Sequence, residues 1–177
     1  MLVSFIIVSS MAISSSLIAC SGPDKGVLDR KVSTRAAPGS FRTAGVTTVF
    51  ERRCGSLDCH GAVGRNMRIY SSQGLRLPND AGLRPGQGET TLDEITANYQ
   101  SILTLEPERS NDVIDGALDP NELLVMKKPL EREKHKGGPV IKKGDDAEIC
   151  LSGWLKEDLL NPIDKGACAR AAIFPKE

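Results

Sequence analysis

The chain has 177 residues, 23 Lys and Arg against 23 Asp and Glu, two histidines and five cysteines. That length suits one domain with short appended segments, and a formal net charge of zero excludes nucleic-acid or anionic-membrane binding driven by bulk charge. No phosphate-binding glycine-rich loop and no Ser/His/Asp set is present, and two histidines leave little room for histidine catalysis.

The first charged side chain is Asp24. Before it runs a serine-rich apolar stretch, too short for a membrane-spanning helix, that reads as a signal peptide over residues 1–19, although no Lys or Arg precedes it. Its end, Leu17-Ile18-Ala19-Cys20, resembles the bacterial lipobox. The resemblance implies cleavage before Cys20, diacylglycerol on its thiol, and an exported protein held at the envelope membrane by several acyl chains. Ser21 carries no aspartate-type inner-membrane retention signal, which points to the outer membrane or its periplasmic face. Residues 20–44 mix Gly, Pro, Ser, Thr and alternating charges without apolar periodicity and read as a lipidated flexible tether, leaving 45–177 as the domain.

Within that domain Val46, Val49, Phe50 and Arg53 share one helical face with Thr43 as N-cap, predicting a short helix that runs into Cys54. The alternation between Arg65 and Leu77 suits a strand-like loop or small hairpin. Thr90 or Thr91 then caps an amphipathic helix carrying Leu92, Ile95, Tyr99, Ile102 and Leu103, with Glu94 in its first turn. Pro107 opens a helical segment to Ile114, Pro120 opens another covering 122–128, and Asp145 or Asp146 starts a last helix with Ile149, Cys150, Trp154 and Leu155. No strand ladder is evident, so the fold class is mainly α, a small helical domain with long loops.

The sharpest local signal is Cys54-Gly55-Ser56-Leu57-Asp58-Cys59-His60. Two cysteines closed by a histidine are what covalent attachment of a c-type haem requires, the thiols forming thioethers and the histidine ligating iron. Four residues separate the cysteines here in place of the usual two. On an ideal helix that puts them about 140° apart, so both thiols reach one porphyrin edge only if the segment bulges at Gly55-Ser56. Two other readings stay open: a Cys54–Cys59 disulfide with an incidental histidine, and a zinc site, which adjacent Cys59 and His60 and a single distant His135 serve poorly. Setting Cys20 aside leaves four cysteines, which pair as Cys54 with Cys59 and Cys150 with Cys168 in an oxidising compartment.

A haem iron on His60 needs a sixth ligand, for which His135, Met126 and Met67 are candidates. Against this, His135 also reads as an exposed loop histidine and Met126 as core packing. Around His135 lie Lys127, Lys128, Arg132, Lys134, Lys136, Lys142 and Lys143, broken by Glu131 and Glu133. Such a run is a solvated surface or, beside a haem edge, a place to neutralise propionates and steer an acidic redox partner. Aromatic residues make up 4% of the chain, so a haem disc is expected to fill part of the core.

Cys54 to Gly61, Arg65-Asn66-Met67-Arg68-Ile69-Tyr70, Gly74-Leu75-Arg76-Leu77, Lys128-Pro129-Leu130, His135-Lys136-Gly137-Gly138 and Cys150-Leu151-Ser152-Gly153-Trp154-Leu155 together resemble the bacterial cytochrome c-like domains of exported planctomycete-type proteins. The resemblance runs from about Gly45 to Leu155, and the four-residue spacer departs from it. It implies a cytochrome c-like fold, covalent haem c on Cys54 and Cys59, and His60 with His135 as axial ligands. The expected function is single-electron transfer at the bacterial envelope without catalysis. A haem-free binding or scaffold lipoprotein and a haem peroxidase with an open sixth position are the other classes.

Overall fold

The computed structural model describes residues 38–78, 82–157 and 161–173, all within one compact unit, Val32–Glu177. The signal peptide, Cys20 and the tether up to residue 37 lie outside the described residues. Seven α-helices occur among those described: α1 Pro38–Thr43, α2 Val46–Cys54, α3 Leu92–Leu103, α4 Pro107–Ile114, α5 Leu124–Lys127, α6 Asp146–Leu155 and α7 Lys165–Ala171. A 3-10 turn, Pro120–Glu122, precedes α5, and no strand is present among the described residues. The mainly helical class read from the sequence holds.

Several boundaries differ from expectation, each for a local reason. Helix α1 lies ahead of Gly45, near which the domain was expected to start, because Phe41 is fully buried and ties α1 into the core. Thr43 ends α1, and α2 starts after Gly45, whose φ of 84° turns the chain between the two helices. The segment expected to run as one helix over 122–128 breaks at Leu123, which is extended. Helix α7 was not read from Lys165–Ala171, whose small residues give little periodicity; Asp164 caps it by accepting the Ala167 amide at 2.9 Å. A disulfide joins Cys150 of α6 to Cys168 of α7, both fully buried.

Four of the aromatic side chains are concentrated in one place. Phe41, Phe50, Tyr99 and Trp154, one each from α1, α2, α3 and α6, pack with ring centroids 5.0 Å (Phe41–Trp154), 5.7 Å (Phe41–Tyr99) and 6.2 Å (Phe50–Trp154) apart. Such pairs contribute about 0.5–1.5 kcal/mol each beyond their burial. These four rings close their part of the helical core on one another. Ile149, expected on the inner face of α6, is 42% exposed.

Helix α3 holds the long loop that follows α2. Thr91 and Glu94 form the expected capping box, but Glu94 is also fully buried, where it receives two hydrogen bonds from Arg76 and one from the Leu77 amide. Arg76 donates further to the carbonyls of Gln87 and Glu89. Buried Asn98 accepts from the Tyr70 amide at 2.6 Å and donates to the Tyr70 carbonyl at 2.8 Å, as a paired strand would. Residues 69–77 are thus fixed to α3 from below, and they in turn form the floor of the cysteine loop.

Candidate functional site

Helix α2 stops at Cys54, and the amide of Gly55 caps it by donating to the Glu51 carbonyl. The chain then bulges through the four-residue spacer and returns, so that the His60 amide donates to the Cys54 carbonyl at 2.8 Å while the Cys59 and Gly61 amides both donate to Ser56. The bulge foreseen at Gly55-Ser56 is thus a closed loop. It rests on the 69–77 segment: the Ser71 hydroxyl donates to the Gly55 carbonyl at 2.7 Å, the Leu75 amide to Gly61 at 2.7 Å and the Ile69 amide to His60 at 3.0 Å. A Cβ on Gly61 would lie 2.1 Å from the Gly55 oxygen and one on Gly74 only 1.9 Å from it, so this crossing of backbones admits no side chain at either position.

Beyond the loop opens a cavity of about 870 Å³, within the range of sites that take a cofactor-sized ligand. Cys54, Cys59, His60 and His135 all line it, although 75 residues separate the two histidines in sequence. Met67, Leu105, Leu124, Val125, Pro129 and Val140 form its apolar wall, and Arg53, Arg65, Lys128, Lys134 and Lys136 outnumber Asp58 and Glu133 along it. Both cysteine sulfurs are unbonded, so of the two disulfides considered from the sequence one is present and the Cys54–Cys59 bond is not. Burial, reinforced by Cys59, pushes the Cys54 thiol up to about 12, so it is neutral at physiological pH.

The two imidazoles face one another across this space with ring centroids 6.2 Å apart and planes within 12°. In each ring Nδ1 sits 2.9 Å from a backbone carbonyl, that of Asn66 for His60 and that of Gly138 for His135. A carbonyl can only accept, so each ring carries a proton on Nδ1, and the neutral form of either imidazole has its lone pair on Nε2. Burial lowers the His60 pKa, opposed by the hydrogen bond to the Asn66 carbonyl and reinforced by His135 and Arg65, so the neutral form is favoured.

Two imidazoles sharing one metal ion, at about 2.0 Å per metal–nitrogen bond and about 1.1 Å from Nε2 to the ring centre, have centroids about 6.3 Å apart. The observed centroid separation, 6.2 Å, matches that length for rings whose Nε2 atoms point at a common ion. No group of three or more His, Cys, Asp or Glu suited to a bare ion occurs among the described residues, and two imidazoles leave further donors of a metal's coordination to be supplied. A tetrapyrrole supplies four, and the two free thiols in the same cavity fit its attachment. Of the remaining candidates, Met126 is fully buried in the core and does not line the cavity, whereas Met67 does line it, at a φ of 53°.

Much of the expected basic cluster is engaged. Lys127 and Arg132 pair with Glu122, and Lys128 with Glu133; Lys142 and Lys143 are exposed away from the cavity. The sequence reading missed Arg53 and Arg65 as cationic lining, and also the carbonyls of Asn66 and Gly138, which backbone conformation alone supplies. No family model, curated protein or solved structure matches this chain.

Proposed function

We propose that this chain is a c-type haem protein that passes single electrons, with Cys54 and Cys59 as thioether attachments and His60 and His135 as axial ligands. The observation that carries this reading is the pair of near-parallel imidazoles, 6.2 Å apart and each with Nδ1 donating to a backbone carbonyl, in a cavity that two free cysteines also line. Bound there, a haem would supply a one-electron iron couple. The protein's own part is to orient two imidazoles, to keep water from an apolar wall, and to set cations around carboxylate groups at the rim. Arg65, Lys134 and Lys136 offer that positive edge to an acidic redox partner as well. Export and anchoring through a lipidated Cys20 belong to the same proposal and rest on the lipobox resemblance.

Production of the full chain alongside a haem-attachment system tests the reading. Haem stain should remain with the polypeptide on a denaturing gel, disappear in the Cys54→Ala/Cys59→Ala variant, and accompany a low-spin visible spectrum in the wild type. A wild-type chain without covalent haem would overturn it and leave the haem-free scaffold.

A further inference from the structure

The two histidines are held very differently. His60 is locked through its own backbone, with its amide on Cys54, its carbonyl accepting from Ile69, and covalent neighbours Cys59 and Gly61 bonded to Ser56. His135 sits at the tip of an excursion that leaves at Pro129 and returns at Val140, closed where the Pro129 carbonyl accepts from both the Val140 and Ile141 amides. The stem is tied down by Arg132, which donates to the Asn121 carbonyl and the Glu122 carboxylate, and by the Lys128–Glu133 pair. Beyond Glu133 the backbone and imidazole bonds of the tip stay within it: the Gly138 amide to the His135 carbonyl, and His135 Nδ1 to the Gly138 carbonyl. Lys134, Lys136 and Gly137 are exposed.

We infer that His135 is an exchangeable ligand, and that its side of the site is a binding position for a small exogenous donor such as carbon monoxide, nitric oxide or cyanide; this rests on the proposed haem attachment. Swinging His135 away rearranges bonds internal to residues 134–138 and leaves the Pro129–Val140 closure intact. Displacing the His60 backbone in the same way would break its bonds to Cys54 and Ile69 and open the cysteine loop. Exchange is therefore one-sided, with the metal–nitrogen bond to His135 broken, the bond to the incoming donor formed, and no net electron or proton transferred. Gly138 sets how readily the tip moves, because its φ of 70° lies in the left-handed region and the imidazole bonds to its carbonyl.

The test uses the haem-loaded full chain reduced with dithionite and mixed with carbon monoxide. The wild type should form the adduct at a rate that plateaus with carbon monoxide concentration, the plateau being departure of His135. In His135→Ala the rate should rise in proportion to concentration without a plateau. In Gly138→Ala the plateau should rise about five- to thirtyfold, the equivalent of forcing a Cβ into the left-handed region. Independently of haem, hydrogen exchange on the unloaded chain should be at least about tenfold faster over 134–138 than over 59–62, since the second set is bonded outside itself. A low-spin wild type that takes up no carbon monoxide, or equal exchange in the two segments, would overturn the inference while leaving haem attachment standing. A chain that carries no covalent haem overturns both.

Discussion

Replacing Gly61 by Ala tests whether the folded spacer, and not the cysteine motif alone, builds the site. The new methyl would meet the Gly55 oxygen at 2.1 Å and the Gly55 carbon and Ser56 oxygen at 2.7 Å, all of them backbone atoms that no rotamer change can move. Relief requires the loop to open, breaking the bonds from His60 to Cys54 and from Gly61 to Ser56. Two backbone hydrogen bonds at about 0.5–1.5 kcal/mol each, plus about 1–3 kcal/mol of overpacking, give a loss of about 2–6 kcal/mol. Against a typical total of about 5–15 kcal/mol that is a large fraction. Urea unfolding monitored by Trp154 fluorescence reads the loss, and haem staining reads attachment. Gly153→Ala is the control: nothing lies within 4 Å of its added Cβ inside α6, so it should stabilise by up to about 1 kcal/mol. A Gly61→Ala protein within about 0.5 kcal/mol of the wild type would refute the close-crossing argument.

Three further outcomes are expected. His135→Ala should shift the haem spectrum toward high spin without releasing the haem, while Met126→Ala should leave the spectrum unchanged and lower stability by about 2–5 kcal/mol in urea titrations; the reverse pattern would move the ligand to Met126. Glu94→Gln strands the Arg76 guanidinium, 3% exposed, at a cost of about 3–5 kcal/mol. Burial pushes the Glu94 carboxyl up, but hydrogen bonds from Arg76, Thr91 and Leu77 outweigh it and the pKa is lowered. Its stabilising share is therefore present above the unfolded value of about 4.3 and lost as pH falls through the folded one, so an unaltered acid limb in Glu94→Gln would contradict the assignment. Removing the Cys150–Cys168 disulfide by double alanine substitution reopens a loop across a separation of 18 residues and should lower the unfolding free energy by about 3 kcal/mol; equal urea midpoints would deny it that role.

Helices whose signals are local were legible. Thr91 with Glu94 announces α3, and Pro107 and Asp145 open α4 and α6, because a cap and a 3.6-residue period act within one turn. The cysteine loop could be read as needing a bulge, since an angle of about 140° follows from helix geometry alone. What closes that bulge could not be read. The Gly55 carbonyl is received by Ser71 and crowded by Gly61 and Gly74, and these meet only after α3 has fixed residues 69–77 through Arg76 and Asn98. The same limit applied at the start of the domain, where Phe41 sits alone among polar residues and shows no periodicity, yet three aromatic partners from α2, α3 and α6 bury it completely.

The separation between that aromatic core and the cavity leads to the last prediction. None of Phe41, Phe50, Tyr99 and Trp154 lines the cavity, and the rings pack on one another from four different helices. The motif loop is likewise held by protein groups alone, from Ser71, Leu75 and Ile69. This domain is therefore expected to fold without the cofactor. A Cys54→Ser/Cys59→Ser chain, unable to attach haem covalently, should keep the near-ultraviolet circular dichroism of Trp154 and Tyr99 and unfold in one cooperative urea transition. Its stability should fall short of the loaded protein's only by the linkage free energy that any ligand bound to the native state alone confers. A variant with native helical signal but no near-ultraviolet spectrum would show the reverse, a molten core completed by the cofactor, and would undo the separation of core from site.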